Sequence, residues 1–190
     1  SSDLLDFLPR GSYIHSGVWK MVLTPRKIVD GHYEMWIPGE GTLNPGTGFL
    51  RPVSSTTLTN PATAIRAITV GAYDSLTFSY ADFSGRGPLT GESASAVKPD
   101  LVAPGVNVST ISVGGSVMQF SGTSFSTPFV TGSAALLMEW GIVRGNDSYL
   151  YGEKVKAYLR RGAKPMPGFE EYPNEAVGYR RLCLAESIPD

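Results

Sequence analysis

The sequence predicts an α/β fold, a covered sheet with a buried helix, preceded by a β-rich segment. Three observations predict it. Apolar residues alternate with a period of two before residue 57, two short continuous apolar runs follow near residues 70 and 102, and one long apolar run spans residues 125–142.

Each element follows in order. Trp19, Met21 and Leu23 alternate with Lys20, Val22 and Thr24, and Tyr33, Met35 and Ile37 alternate likewise, which is the pattern of strands. Asp30-Gly31 between them is a hairpin-turn signal. Leu43-Asn44-Pro45-Gly46 and Arg51-Pro52 read as turns, so residues 1–57 form an all-β piece rather than a helical one. From about residue 61 the character changes. Residues 67–72 and 101–103 are short buried-strand runs closed by small or turn residues, as in a covered sheet. Residues 125–142 contain Phe129, Val130, Ala134, Ala135, Leu136, Leu137 and Trp140, apolar on most sides, which fits a helix buried against that sheet. A second, amphipathic helix is expected over about residues 150–161. The absence of an internal repeat or low-complexity tract excludes solenoids and collagen-like rods.

Composition narrows the function classes. A chain of 190 residues, 42% hydrophobic and 17% charged, suits one sizeable folded domain or one domain plus part of another. The 16 basic and 17 acidic residues nearly cancel, so neither nucleic acid nor an anionic membrane is an expected partner. No apolar run approaches the roughly twenty residues a membrane helix needs. The start, Ser1-Ser2-Asp3-Leu4-Leu5-Asp6, lacks the basic-then-apolar order of a signal peptide. Cys183 is the single cysteine, which excludes an internal disulfide and a cysteine-based metal cluster. The 22 Gly and 14 Pro point to many tight turns.

Ser121-Gly122-Thr123-Ser124-Phe125-Ser126-Thr127-Pro128 stands where a loop runs into the long apolar helix. Gly122 allows a backbone conformation or close approach that a side chain would block. Ser124 then falls at the helix start, where unpaired N–H groups and the helix dipole favour developing negative charge, so its own N–H can help hold an oxyanion, with Thr123 and Gly122 in support. Pro128 is expected in the first turn, where its missing N–H costs little. Read alone, Ser and Thr at such a junction are more commonly helix caps than nucleophiles.

The run from Gly122 to Gly132, Gly-Thr-Ser-Phe-Ser-Thr-Pro-Phe-Val-Thr-Gly, resembles the nucleophile signature of the subtilisin family of serine proteases. Val70-Gly71-Ala72, Phe83-Ser84-Gly85-Arg86-Gly87-Pro88 and Lys98-Pro99-Asp100-Leu101-Val102-Ala103-Pro104-Gly105 match that family upstream, in the right order. The likeness covers about residues 61–145 closely. A narrower likeness, to the clostridial Csp-type subtilases, rests on the run from Thr56 to Ala64, on Met138 to Ile142, on Leu150 to Lys154, and on Tyr172-Pro173-Asn174 with Leu182-Cys183-Leu184. One departure is Gly178-Tyr179-Arg180-Arg181, which stands where the group usually has a second Gly.

The resemblance implies the carboxy-terminal part of a subtilisin-like α/β fold, with a mostly parallel sheet and a buried helix. Residues 1–57 would be the end of a jelly-roll domain inserted into the protease domain, and residues 58–190 the carboxy-terminal part of the peptidase domain. It implies peptide-bond hydrolysis with Ser124 as nucleophile and a peptide or protein substrate. No cofactor is expected, although many subtilisins bind calcium, because no such site maps onto these residues. Residues 61–66 would border the substrate cleft, with no specificity pocket assigned. Members of the Csp group process or sense signals in spore germination, which implies an extracellular or spore-associated location.

The serine mechanism needs a His to take the hydroxyl proton and an Asp to orient it, and in subtilisin order both precede the Ser. Only His15 and His32 are present, neither in the family's His-Gly-Thr-His setting. His32 follows Asp30-Gly31, which turn chemistry already explains. Asn44 and Asn60 each precede Pro in turns, so the family's second oxyanion donor, an Asn side chain, is missing as well. Asp100 is expected to be structural, Asn107 and Asn146 to be formal glycosylation acceptors only, and Glu170-Glu171 to be a solvated pair. The chain alone is thus expected to be inactive, its site completed by a missing amino-terminal half or a homodimer partner. The competing expectation is a subtilase-fold pseudoprotease that senses or binds.

Overall fold

The computed structural model describes residues 16–31, 33–38, 42–88 and 97–189. The chain divides into two compact units, Ser1–Gly48 and Phe49–Asp190.

In the first unit the turn at Asn44 forms as expected. The Thr47 N–H donates to the Asn44 carbonyl at 3.0 Å, and Gly46 takes φ 81°. Pro45 then Gly46 is the residue order that a type II turn requires. The strands expected from the alternation at 19–24 and 33–37 do not form among the described residues, which run as irregular chain there. Trp19 and Trp36 each remain 62% exposed. Alternation marks a segment able to bury one face; a ladder also needs neighbouring strands and a core to cover.

The second unit is built on a short parallel pair. Strand β1 (Val70–Tyr73) pairs with β2 (Leu101–Pro104), in register from Val70 opposite Leu101 to Tyr73 opposite Pro104. The first strand begins at Val70 rather than Ala67, because the Thr69 N–H is taken by the Asp100 carboxylate at 2.6 Å. A third segment lies along the other edge of β2. The Tyr179 N–H donates to the Asp100 carbonyl, the Val102 N–H to the Arg180 carbonyl, and the Leu182 N–H to the Val102 carbonyl, at 3.0, 3.1 and 2.8 Å. Strands β3 (Val108–Ile111) and β4 (Val117–Phe120) form a separate antiparallel hairpin.

Helix α1 (Thr123–Met138) runs on into a π-helical turn, Glu139–Val143. Helices α2 (Glu153–Gly162) and α3 (Leu184–Ser187) follow. The core has two faces because successive strand residues point oppositely. Leu101 and Ala103 meet Val130 and Leu137 of α1 together with Leu150, Val155 and Leu159. Val102 and Tyr73 meet Met166, Ala176 and Val177 on the other side. This explains why β2 reads as an unbroken apolar run: both faces are covered.

Helix α1 packs against the sheet as expected, Val130 and Leu137 meeting Leu101 and Ala103, but along one face. Only Ser126, Val130, Ser133 and Leu137 are buried, a single stripe, while Phe129 and Leu136 are 43% and 51% exposed. The packed cluster meets the helix along one line only. Among the described residues no helix is long and apolar enough to cross a membrane.

Candidate active site

The start of α1 rests on the corner that follows β2. The Gly122 N–H donates to the Gly105 carbonyl at 2.8 Å, and the Asn107 N–H donates to Ser121 Oγ at 2.9 Å. Gly105 must be glycine: a Cβ there would lie 2.7 Å from Ala72 Cβ and would collide with Ser126 Oγ. That close approach seats the helix against the end of β1. Gly122, the residue before the helix, holds φ 152° and ψ 156°, backbone that favours glycine.

Thr123 and Ser124 are then the first two helical residues. Ser124 is exposed and Thr123 half-buried, while Ser126, one strip around the helix, is wholly buried. As the second residue of α1, Ser124 has an N–H that precedes the first possible acceptor inside the helix, so it is available to an incoming oxygen. The arrangement presents a hydroxyl and an unspent amide donor on the same exposed residue.

The capping alternative does not hold, since α1 has no side-chain capping bond at its start. Thr127 and Thr131 instead turn their hydroxyls back onto the Thr123 and Thr127 carbonyls at 3.0 and 3.1 Å. The expectation for Pro128 is also corrected. The helix begins at Thr123, which makes Pro128 an interior residue one turn further on. The N–H it lacks is the one that would have bonded to the carbonyl of Ser124, so the ladder is interrupted beneath that residue.

Both histidines, His15 and His32, lie outside the described residues. Asn60 is engaged in its turn, its Oδ1 accepting from Thr63 Oγ1 at 2.8 Å. Asn107 takes φ 50° in the corner beneath the helix, and Asn146 donates its side-chain amide to the Trp140 carbonyl at 2.8 Å. Glu170 and Glu171 are exposed. A shallow groove lined by Arg66, Tyr149, Tyr151 and Glu153 opens near the start of α2 and includes none of the α1 start.

Asp100 is structural. It is fully buried, with Lys98 Nζ at 2.8 Å and Lys156 Nζ at 3.8 Å, and the Arg160 guanidinium bonds the same carboxylate. The two lysines also donate to backbone, Lys98 to the Ala67 carbonyl and Lys156 to the Ile65 carbonyl. The cluster therefore ties the turns before β1, the start of β2 and helix α2 together. Burial pushes the Lys98 ammonium below the usual lysine range, partly offset by its bond to Asp100.

The model of the subtilase family of peptidases matches residues 46–179. The chain belongs to the subtilase family. It is 44% identical to the CspB protease of Clostridium perfringens, with a TM-score of 0.69 over 74% of this chain and 30% of that one. The serine protease AprX of Bacillus subtilis is 31% identical over 155 residues, 71% of this chain and 32% of AprX. The prenylagaramide maturation protease PagA is 29% identical, with a TM-score of 0.57 over 70% of this chain and 46% of PagA. This subtilase chain thus spans about a third of the curated relative AprX. Within the departing run Gly178-Tyr179-Arg180-Arg181, Arg180 takes φ 153°, a glycine-type conformation, although the residue is arginine.

The sequence marks the junction at Gly122 and Ser124 but not the support beneath it. Gly105, Asn107 and Ser121 hold the turn, and Phe120 stacks on Phe125 across it. The Pro104-Gly105 motif was a signal for the corner; nothing in the sequence marks the ring pair.

Proposed function

We propose that this chain is the carboxy-terminal part of a subtilisin-type serine endopeptidase, with Ser124 as the nucleophile acting on a peptide or protein substrate. The single observation that carries the reading is an exposed hydroxyl on the second residue of a helix whose start has no side-chain cap. Ser124 Oγ attacks the scissile carbonyl and loses its proton to a base. The oxygen of the tetrahedral intermediate is held by the Ser124 N–H at the helix start, with Thr123 and Gly122 fixing the turn. The base and the acid that orients it come from outside Phe49–Asp190, and the chemistry uses no cofactor. Residues 1–57 are read as the end of an inserted jelly-roll domain, and residues 58–190 as peptidase domain. The Csp likeness extends the reading to spore germination and a spore-associated or extracellular location.

The test is labelling by a fluorophosphonate probe, which reacts with activated serines. The chain alone should remain unlabelled and hydrolyse no peptide. Mixed with the amino-terminal half of the protease domain, it should be labelled at Ser124, and the Ser124→Ala variant should not. No labelling in either sample would sink the peptidase reading and favour a sensor or binding protein. Strong Ser124-dependent hydrolysis by the chain alone would overturn the divided site.

A further inference from the structure

We infer that Phe120 and Phe125 form a stacked clamp that sets the backbone of the turn carrying Ser124, which makes both of them positioning residues. The link to chemistry rests on Ser124 being the nucleophile; the clamp itself does not.

The two rings are 5.3 Å apart between centroids and 12° from parallel. Phe120 is the last residue of β4 and Phe125 the third of α1, so the pair closes over both ends of the intervening turn. A Cβ placed on Gly122 would lie 3.6 Å from Cδ2 and 3.9 Å from Cε2 of Phe125. The ring therefore packs on the open face of Gly122, at ordinary contact distance from where a Cβ would stand. The Phe125 N–H also donates to the Gly122 carbonyl at 3.0 Å, and the Gly122 N–H to Gly105 at 2.8 Å.

Gly122 is the one residue of the turn with wide conformational freedom, and it sits two residues before Ser124. Left unrestrained, it would let the helix start swing. A displacement of about 1 Å at a reacting group costs on the order of a hundredfold in rate. The clamp opposes that swing with a ring on one side and a hydrogen bond at each end.

Amide hydrogen exchange on the full chain tests this directly. In Phe125→Leu and in Phe120→Leu, exchange at the Gly122 and Phe125 amides should accelerate about tenfold, the loss expected when an aromatic stack is broken. The interior amides of α2 should keep their rates, and Phe125→Tyr, which preserves the stack, should behave as wild type. Unchanged rates at the turn, or an equal acceleration throughout α1 and α2, would overturn the clamp. Fluorophosphonate labelling of the same variants, combined with the amino-terminal half, should slow about tenfold at Ser124 for both leucine variants and recover in Phe125→Tyr. If the labelling rate were untouched while the turn exchanged faster, the positioning role would fail. An unlabelled wild-type mixture would instead sink the nucleophile reading, while the exchange rates still decide the clamp.

Discussion

In an Asp100→Asn variant the buried carboxylate that faces Lys98, Lys156 and Arg160 loses its charge and keeps nearly its shape. Asp100 is 0% exposed, and the two lysines are each 4% exposed. Its Oδ2 takes the Thr69 N–H at 2.6 Å and the Lys98 ammonium at 2.8 Å. An asparagine still offers one acceptor to Thr69, but it leaves three cations around a neutral group. Removing one partner of a buried ion pair costs about 3–5 kcal/mol, chiefly because the remaining charge stays buried and unpaired. Against a total of about 5–15 kcal/mol for a domain, that is a large fraction. At about 2–4 °C per kcal/mol for a chain of this size, the melting temperature should fall by about 6–20 °C. Thermal and urea unfolding followed by circular dichroism would measure it. Adding Lys98→Met to Asp100→Asn should restore about 1 kcal/mol or more, since one unpaired cation leaves with it. Lys98 already titrates below its ordinary 10.5 in the folded chain. Folded protein therefore releases that proton first, and the single variant should regain stability as pH rises toward 10.5. A loss below about 1 kcal/mol for Asp100→Asn, smaller than a buried pair commands, would refute the view that this cluster holds α2 to the strands.

Three further outcomes are expected. Arg180→Gly should be at least as stable as wild type, because relief of about 1–3 kcal/mol of backbone strain offsets the lost stacking of the guanidinium over Tyr172. Arg180→Ala keeps the strain, so urea midpoints that rank Ala above Gly would contradict this account. Ser126→Ala should stabilise by about 1 kcal/mol, since Ser126 Oγ is buried without a hydrogen-bond partner; a lower melting temperature would show a partner at work. The hydrogen bond from Lys154 holds the Asp147 carboxyl below its ordinary 3.8. Its contribution is therefore present above 3.8 and lost as pH falls further, and the gap in melting temperature between wild type and Asp147→Asn should close in that range. A gap independent of pH would count against the pairing.

The parts of the fold legible in the sequence were those set by local burial. Leu101-Val102-Ala103 is apolar without interruption because helices cover one face and residues 166–177 the other. The start of α1 was legible because Gly122 and the serines precede an apolar run. The β3–β4 hairpin carries a sequence signal in Gly114-Gly115, whose φ values of 96° and 85° form the turn. The segment 179–182 carried none. Tyr-Arg-Arg-Leu has no strand alternation, and its conformation comes from the open edge of β2 rather than from its own residues. Residues 19–24 and 33–37 show the opposite case, where alternation is clear and no strand forms among the described residues. At the candidate site, the loop-to-helix junction before Ser124 was readable from its neighbours, whereas Asp100's three cations lie up to sixty positions away in the chain. Likewise, the seat of Ser126 on Gly105 brings together residues far apart in the sequence.

The strand-like segment beside β2 has a consequence for synthesis. Its residues leave the ribosome some eighty positions after those they bond, Leu182 reaching back to Val102. A nascent chain that stops short of Tyr179 exposes a row of unanswered amides and carbonyls along β2, which is a template for joining another chain. Chaperone capture and misassembly should therefore concentrate in that interval of translation and fade once residues 179–182 have emerged.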